Sequence, residues 1–311
     1  MGNQDNPAIL VVGSMNMDLV LETERLPEPG ESYFGDRYHY VLGGKGANQA
    51  VAAAKLGLDV VFVGRVGNDE HGNVVRENLR RQGIATDLIA VDPEQPTGLA
   101  VIILEPTGEN RIFVYAGANM SIRLADLDEA FRRSFDAVLL NFEVPDEVIH
   151  EVCARARALN LPIIIDAGPA RIFDMERMGT IEILSPNETE TEALAGVACD
   201  TVDSAKAAAE ELGRRSEAKH IVIKLGHRGA LVYSDGNFHH VEAFDVDTVD
   251  TTAAGDAFTA GVAARYLRTG DLIDAVRFGN AAGAIAVTRL GAQPSLPDEA
   301  ETLELYSSGC S

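Results

Sequence analysis

The feature that most constrains the fold is a regular alternation of short apolar runs with longer stretches of helical periodicity. Apolar runs of strand length occur at 8–14, 59–67, 135–143, 161–169, 181–188 and 220–226. Helical patterns lie at 47–57, 69–83, 144–159, 202–215, 255–270 and 271–291. Strands that alternate with helices imply parallel strands joined by helical crossovers. The sequence therefore predicts an α/β fold with a doubly wound, mostly parallel sheet flanked by helices.

Two stretches break this alternation and predict a second, smaller sheet. Residues 18–42 alternate polar and apolar side chains around a Pro-Glu-Pro-Gly turn, and residues 97–116 are typical of a hairpin around Pro106-Thr107-Gly108. We interpret both as a small β lid inserted into a large domain. The expected division is a lid of 18–42 and 97–116 and a large domain of 1–17, 43–96 and 117–311.

Charge and hydropathy narrow the class of function. The net charge of −22 at pH 7 disfavours nucleic acid and anionic membrane surfaces as partners, because both require clusters of Lys and Arg. No apolar run approaches the length of a bilayer span, and the N-terminal segment lacks the basic flank of a secretory signal. We therefore expect a cytoplasmic protein with a small-molecule ligand.

The segment VDTTAAGDAF (249–258) points to chemistry on an anion. A small, flexible turn, Ala253-Ala254-Gly255, leads into a helix, so unpaired N–H groups and the positive end of the helix dipole face outward. Asp256 follows at once and could be an ordinary helix cap. However, Asp250 and two threonines precede the turn. A carboxylate beside an anion-binding turn suits phosphoryl transfer, in which amides stabilise charge and the carboxylate accepts a proton.

Two further segments carry polar groups at predicted helix starts. Gly43-Gly44-Lys45-Gly46 resembles a P-loop only superficially, because no Ser or Thr follows the lysine. Together with Asn48 it could equally be a tight connection or a pocket for a polyhydroxylated ligand. Residues 186–190, PNETE, follow a predicted strand; Thr189 could simply cap a helix, or the segment could face a metal-bound phosphate. The first strand ends in GSMNMD, without the spaced glycines of a dinucleotide site, which disfavours a dehydrogenase.

These segments together resemble the ribokinase-like family of sugar and nucleoside kinases, also called the PfkB family. Two motifs are specific in combination, GGKGANQAVAAAKLG (43–57) and DTTAAGDAF (250–258). Further matches are GSMNMD (13–18), GAN (117–119), NFEVP (141–145), PNETE (186–190) and AIAVTRLGAQPS (284–295). The similarity extends from about residue 8 to about residue 297. It implies ATP-dependent phosphorylation of D-ribose at the 5-hydroxyl, with Mg²⁺ and K⁺ taking part.

The resemblance also implies roles for individual residues. Asp256 would be the catalytic base, and the anion hole would be formed by the amides of Ala253, Ala254 and Gly255. The sugar hydroxyls would be bound by Asn16, Asp18, Gly44, Lys45, Asn48 and Glu143. The nucleotide site would include Asn187, Lys224, Gly226, Gly255 and Asn280. Asn187 and Glu190 would serve the Mg²⁺ region through water, and K⁺ would be held by Asp250, Thr252, Ala286, Arg289, Gly291 and Ser295. Lids would pair in a homodimer, with a residue near Phe113 covering the partner's sugar.

Some positions depart from the family pattern, and alternatives follow from them. Ala253 stands where many members have Gly, and Lys224 where ribose-specific members often have Thr. The spacing of Asn16 and Asp18 matches ribose-specific members rather than deoxyribose-specific ones. The alternatives are another kinase of the family, acting on fructose, 2-keto-3-deoxygluconate, deoxyribose or a nucleoside, and a non-catalytic sugar-binding protein. The last would be expected to lack the base or the anion hole, but Asp256 and Gly255 are both present.

Overall fold

A nine-stranded sheet forms the centre of the computed structural model, which describes residues 6–106 and 110–308. Its strands are β1 (Ala8–Val12), β4 (Asp59–Gly67), β5 (Ile89–Asp92), β8 (Ala137–Asn141), β9 (Ile163–Asp166), β10 (Thr180–Ser185), β11 (Glu217–Lys224), β12 (Ala230–Ser234) and β13 (Asn237–Val241). The spatial order is β13-β12-β11-β10-β9-β8-β1-β4-β5. All neighbours pair in parallel except β11 with β12 and β12 with β13. The predicted mostly parallel sheet is confirmed.

Helices cover both faces of this sheet. They are α1 (Lys45–Lys55), α2 (Glu70–Arg81), α3 (Asp146–Ala158), α4 (Glu188–Ala195), α5 (Val202–Arg215), α6 (Ala254–Thr269), α7 (Leu272–Val287) and α8 (Glu299–Ser308). Alternate strand residues point to opposite faces. Ile9 and Val11 pack with α1, α6 and α7, whereas Leu10 and Val12 pack with α3 and α5. The near-continuous apolar runs of the strands are explained by this burial on both faces.

The chain changes direction across the sheet at β1. After β1 it continues to β4 on one side, and it later returns to β8 on the other side. In open α/β sheets a ligand crevice forms outside the carboxyl ends of the strands at such a switch point. The register places Asn141 of β8 and Ser185 of β10 on either side of Asp166 at this edge. Polar residues therefore collect where a crevice is expected.

A separate four-stranded sheet, hereafter the small sheet, rises from this edge. Its strands are β2 (Asn16–Glu22), β3 (Arg37–Gly43), β6 (Gly98–Leu104) and β7 (Asn110–Tyr115), in the order β3-β2-β6-β7. The inserted small sheet is thus confirmed as part of the fold. Thr107 and Gly108 of the predicted hairpin turn lie outside the described residues. Exposed apolar side chains occur on β3 and β7, at Tyr38, Tyr40, Ile112, Phe113, Val114 and Tyr115.

Some elements were not anticipated from the sequence. Strands β12 and β13 form a hairpin around Asp235 and Gly236, both with positive φ, which is the two-residue turn that an Asp-Gly pair favours. The short strand β5 and helix α8 were also missed, because their brief patterns contain too few residues to establish a period, whereas α4 begins at the helix start predicted in 186–190. Within residues 6–106 and 110–308, none of the helices combines the length and apolar content needed to cross a bilayer.

Candidate active site

The start of α6 is the centre of the site. Ala253 is the N-cap residue, with φ 61° and ψ 7° in the left-handed region, and no side chain caps the helix there. The first N–H groups of a helix lack carbonyl partners within it. The amide of Ala254 instead donates to the Thr251 carbonyl oxygen at 3.3 Å. Gly255 lies beside Lys224, and a Cβ at this position would be in ordinary contact with Lys224 Nζ, at 3.7 Å.

Asp256 is not a helix cap. Its side chain is 5% exposed, and its two oxygens accept hydrogen bonds from another helix. Asn48 Nδ2 donates to Oδ2 and Gln49 Nε2 donates to Oδ1, each at 3.0 Å. Each carboxylate oxygen has a further lone pair, so the group can still accept a proton. The interpretation of Asp256 as an ordinary cap is therefore wrong.

A network of buried charges adjoins Asp256. Asp166, at the end of β9, is fully buried and accepts from Lys45 Nζ at 3.3 Å and from Gln49 Nε2 at 2.8 Å. Its other oxygen is paired with the ammonium group of Lys224. Glu190 lies 3.9 Å from both lysine nitrogens. Two ammonium groups and two carboxylates are thus assembled on one side of Asp256.

The pKa values follow from this arrangement. Burial raises the pKa of Asp256 to about 6; Lys45 opposes the shift, and Asp166 adds to it. Burial also disfavours ionisation of Asp166, but Lys224 and Lys45 outweigh it, and its pKa is lowered. For Lys45 burial is outweighed by Asp166, Asp256 and other carboxylates, so its pKa is raised. The site therefore holds a carboxyl group with a raised pKa, Asp256, beside Asp166 and Lys45, whose charged forms are favoured.

The expected sugar-binding residues meet beneath the small sheet. Asn16 accepts from Asn119 Nδ2 at 2.8 Å, and the amide of Lys45 donates to Glu143 Oε2 at 3.0 Å. Gly44 has φ 88°, and a Cβ there would lie 2.8 Å from the Asn16 nitrogen, so only glycine fits. Burial and Glu143 raise the pKa of Asp18 to about 7.

Several buried acceptors at this place lack a partner within the protein. They are Asp18 Oδ1, Asn48 Oδ1 and Gln49 Oε1. A buried polar atom without a hydrogen bond is costly, and such atoms are normally satisfied by water or ligand. Hydroxyl groups could donate to these acceptors, so the pocket is suited to a polyhydroxylated ligand.

A cavity of about 740 Å³ opens on the other side of the α6 start. It is lined by Lys224, Gly226, Gly255 and Asn280, four of the residues expected at the nucleotide site, together with Phe244, Val246, Phe258 and other residues. Asn280 Nδ2 donates to the carbonyl oxygens of Val241 and Glu242, at 3.1 and 2.9 Å, so its amide holds the cavity wall. The volume and the partly apolar lining suit a nucleotide.

Asn187 and Glu190 form a capping box at the start of α4. Asn187 Oδ1 accepts from the Glu190 amide at 2.8 Å, and Glu190 Oε2 accepts from the Asn187 amide at 2.7 Å. Asn187, and not Thr189, is therefore the cap. Among the described residues, no group of three or more His, Cys, Asp or Glu side chains could bind a metal ion.

Three of the residues expected around K⁺ are joined by hydrogen bonds: Asp250 and Thr252, in the loop before α6, and Gly291. Asp250 Oδ1 accepts from the backbone and hydroxyl of Thr252 at 2.9 and 2.6 Å, and Oδ2 accepts from the Gly291 amide at 2.8 Å. The Arg289 side chain instead pairs with Glu301 at 2.6 Å, and the Ala286 carbonyl oxygen accepts from the Arg289 amide at 3.3 Å. Ser295 donates to the carbonyl oxygen of Ala292 at 2.7 Å.

Sequence reasoning missed three polar residues of the site. Gln49 bonds both Asp166 and Asp256, and Asn119 holds the β1–β2 connection by accepting from the Met15 amide at 2.9 Å. Asp166 ends an apolar strand run, and the rule that ligands bind at the carboxyl ends of parallel strands could have identified it. Nothing in the local pattern distinguishes Gln49 from a surface residue.

The chain was compared with known proteins. Residues 6–299 match the family described as pfkB family carbohydrate kinase. A ribokinase of Haemophilus influenzae is 36% identical over 95% of this chain and 97% of its own length, and a deoxyribokinase of Salmonella typhi is 34% identical over 93% and 95%. The solved structure of Arabidopsis thaliana ribokinase complexed with ribose and ATP superposes with a TM-score of 0.88 at 34% identity, over 97% of this chain and 99% of that one.

The fold, the α6 start and the buried carboxylate agree with this similarity along nearly the whole chain. A carbohydrate kinase is an enzyme that transfers a phosphoryl group to a sugar hydroxyl. The chain belongs to the pfkB family of carbohydrate kinases.

Proposed function

We propose that this kinase transfers the γ-phosphoryl group of ATP to the 5-hydroxyl of D-ribose, giving ribose 5-phosphate and ADP. One observation carries the proposal. A buried carboxylate, Asp256, stands at the N-terminus of α6, between unpaired hydroxyl-accepting groups on one side and a cavity of nucleotide size on the other. The ribokinase relatives, including the one solved with ribose and ATP, support ribose and ATP as the substrates.

In the proposed mechanism Asp256 accepts the proton of the 5-hydroxyl while the hydroxyl oxygen bonds to the γ-phosphorus. The bond from the γ-phosphorus to the bridging oxygen of ADP breaks, and that oxygen keeps the electron pair. The amides of Ala253, Ala254 and Gly255 and the dipole of α6 stabilise the charge on the transferred group, and the Ala254 amide exchanges its 3.3 Å hydrogen bond to the Thr251 carbonyl oxygen for this contact. Positioning and electrostatics supply most of the rate enhancement in such a loose transition state.

The sugar pocket supplies orientation. Asn16, Asp18, Asn48 and Glu143 present acceptors to the ring hydroxyls, and Gly44 and Lys45 present the start of α1. A site built to bond a hydroxyl strongly rejects an analogue that lacks it, because buried polar atoms then stay unpaired. Ribose should therefore be favoured over 2-deoxyribose if an acceptor faces the 2-hydroxyl.

Two cations fit the donor groups that the chain offers. Asn187 and Glu190 supply one amide and one carboxylate. Such a small set of protein donors suits Mg²⁺, because this ion usually keeps several waters and is held mainly by substrate phosphates. Carbonyl, hydroxyl and carboxylate oxygens of Asp250, Thr252, Ala286, Arg289, Gly291 and Ser295 suit K⁺. Bound Mg²⁺ would neutralise phosphate charge, and K⁺ would fix the loop that leads into Ala253.

The small sheet is proposed as a lid that covers the sugar. The lid comprises residues 18–42 and 97–116, and the rest of the chain forms the large domain. Its exposed apolar side chains, Phe113 at 66% and Tyr38 at 65%, form a surface suited to a second copy. We propose a homodimer in which the lids pair and a residue near Phe113 covers the sugar of the partner.

The decisive experiment measures ADP release with ribose, 2-deoxyribose, fructose, 2-keto-3-deoxygluconate and adenosine at matched concentrations. The proposal predicts the highest kcat/KM with ribose. The deoxyribokinase relative makes 2-deoxyribose the strongest alternative substrate. A preference for 2-deoxyribose would show that ribose is not the substrate but would leave the proposed mechanism unchanged. No ADP release with any acceptor would support a non-catalytic sugar-binding protein.

A further inference from the structure

Asp166 lies in the interior of the site, where the proposed mechanism gives it no task. It is fully buried at the carboxyl end of β9, and its register neighbours are Asn141 and Ser185. Burying a carboxylate is costly unless it is paired and hydrogen bonded. A charge retained at the centre of an active site therefore calls for a functional explanation.

The contacts of Asp166 connect it with three donors from two elements. Lys45 Nζ and Gln49 Nε2, both from α1, donate to Oδ2 at 3.3 and 2.8 Å. The Lys224 ammonium group at the end of β11 is paired with Oδ1. The same Gln49 nitrogen donates to Asp256 Oδ1 at 3.0 Å. A single amide thus links the central carboxylate of the network to the base.

Two ammonium groups near the base present a chemical problem. An ammonium ion paired directly with Asp256 would lower its basicity and occupy the lone pairs that must receive the proton. Asp166 forms ion pairs with both lysines, whereas Asp256 forms none with them. Lys45 lies 3.3 Å from Asp166, and Asp256 is left with neutral amide donors.

We propose that Asp166 is a positioning residue of the phosphoryl transfer. It holds the ammonium groups of Lys45 and Lys224 and the amide of Gln49 in an arrangement that leaves the Asp256 carboxylate free to accept the proton. The inference rests on the proposed function, because it assumes that Asp256 is the base. Lys224 in this arrangement also borders the nucleotide cavity beside Gly255.

The charged groups around Asp256 come from several elements. Lys45 on α1 lowers the pKa of Asp256 and Asp166 on β9 raises it. Glu143 after β8 and Glu190 on α4 act on Lys45, and Lys224 on β11 pairs with Asp166 and lies 3.9 Å from Glu190. When the Asp166 charge alone is lost, the carboxylates that remain as partners for the two ammonium groups are Glu190, Glu143 and Asp256 itself. We expect Lys45 to turn towards Asp256, which lowers the pKa of the base and its reactivity.

The test compares Asp166→Asn, Lys224→Met and the double variant with wild type. For Asp166→Asn we expect the single-turnover rate with ribose and MgATP to fall at least ~10-fold, a part of the ~10²- to 10⁴-fold that general-base catalysis contributes. The KM for ribose should change less than about threefold, and the acidic limb of the rate profile should move to lower pH. The double variant should recover thermal stability but not the rate, because Lys45 still lacks its carboxylate.

A matched control is available in another buried ion pair. Arg65 bonds Asp126 at 2.7 Å, and the side chains are 6% and 14% exposed. Asp126→Asn should lower the melting temperature while leaving the rate and its pH profile unchanged. If it reduces the rate as much as Asp166→Asn does, or if the double variant recovers the rate together with the stability, Asp166 serves only charge balance and the inference is overturned.

A measurement without turnover separates this inference from the proposed function. Carboxyl ¹³C NMR of the substrate-free enzyme should show a lower pKa for Asp256 in Asp166→Asn than in wild type. An unchanged pKa would overturn the inference even if ribose is the substrate. A wild-type enzyme that releases no ADP with any sugar would overturn the proposed function, while a shifted pKa would still support the network.

Discussion

Asn48 and Asp256 are joined by a 3.0 Å hydrogen bond across 208 residues of sequence. The bond connects the first turns of α1 and α6, the helices that carry the two most specific sequence motifs. In the proposed mechanism the sugar hydroxyl lies between α1 and the α6 amides, so this contact would align the acceptor with the phosphoryl donor. The residues of both motifs therefore act as one unit.

Replacement of Asp256 by Asn should lower kcat by ~10²- to 10⁴-fold, since the base is lost while the shape is kept. The dissociation constant for ribose, measured by calorimetry, should change little. The exposed Asp203→Asn on α5 removes the same charge far from the site and should leave kcat unchanged. Near-normal turnover in Asp256→Asn would remove its assignment as the base.

The rate should depend on pH in a defined direction. The pKa of Asp256 in the free protein is raised to about 6, and only the ionised form accepts a proton, so kcat/KM should fall as the pH drops through this value. Asp18, with a pKa of about 7, is proposed to bind the sugar and should add a second ionisation to the kcat/KM profile. A flat profile between pH ~5 and ~8 would contradict both assignments.

Exchange of K⁺ for Na⁺ should slow turnover, because the proposed K⁺ residues Asp250 and Thr252 lie in the loop directly before the proposed anion hole. Asp250→Asn should weaken this dependence, since it removes the charged oxygen that the loop is built around. Initial rates at constant ionic strength provide the measurement. Equal rates in K⁺, Na⁺ and Tris would show that no such cation takes part.

Ala253 adopts φ 61°, a left-handed conformation that costs a non-glycine residue ~1 kcal/mol or more. Ala253→Gly should relieve this strain, but glycine also increases the conformational entropy of the unfolded chain. The net effect should be a rise of roughly 0.5 kcal/mol in the free energy of unfolding. Ala254→Gly, one residue into the helix, should lower it by a similar amount. Urea denaturation of both variants gives the comparison, and equal signs would argue against strain at Ala253.

The exposed apolar side chains of the small sheet are proposed to hold two copies of the chain together. Phe113 is 66% exposed on β7, and an aspartate there would have to be desolvated in a lid–lid interface. Phe113→Asp should convert a dimer into a monomer in light scattering and should raise the KM for ribose. Leu159→Asp, at an exposed position after α3, should leave the dimer intact. A wild-type monomer at micromolar concentration would contradict the pairing.

The sequence by itself determined the architecture. Apolar runs such as 59–67 and periodic stretches such as 202–215 became β4 and α5 with the expected bounds, because burial on both faces leaves a strong local pattern. The start of α6 was also predicted from the sequence, since a turn of small residues followed by an apolar periodic stretch is typical of a helix N-terminus. Short or edge elements such as β5 and β13 were not, because four or five residues define no period.

Only the tertiary structure decided how the buried charges are connected. Gln49 and Asp166 are 117 residues apart, and no local pattern indicates that one amide serves two carboxylates. Lys224 was expected at the nucleotide site and lines that cavity, but its pairing with Asp166 is visible only in the folded chain. Such contacts depend on which strand ends are neighbours and on the energetic need to pair every buried charge, so they exist only in the folded chain.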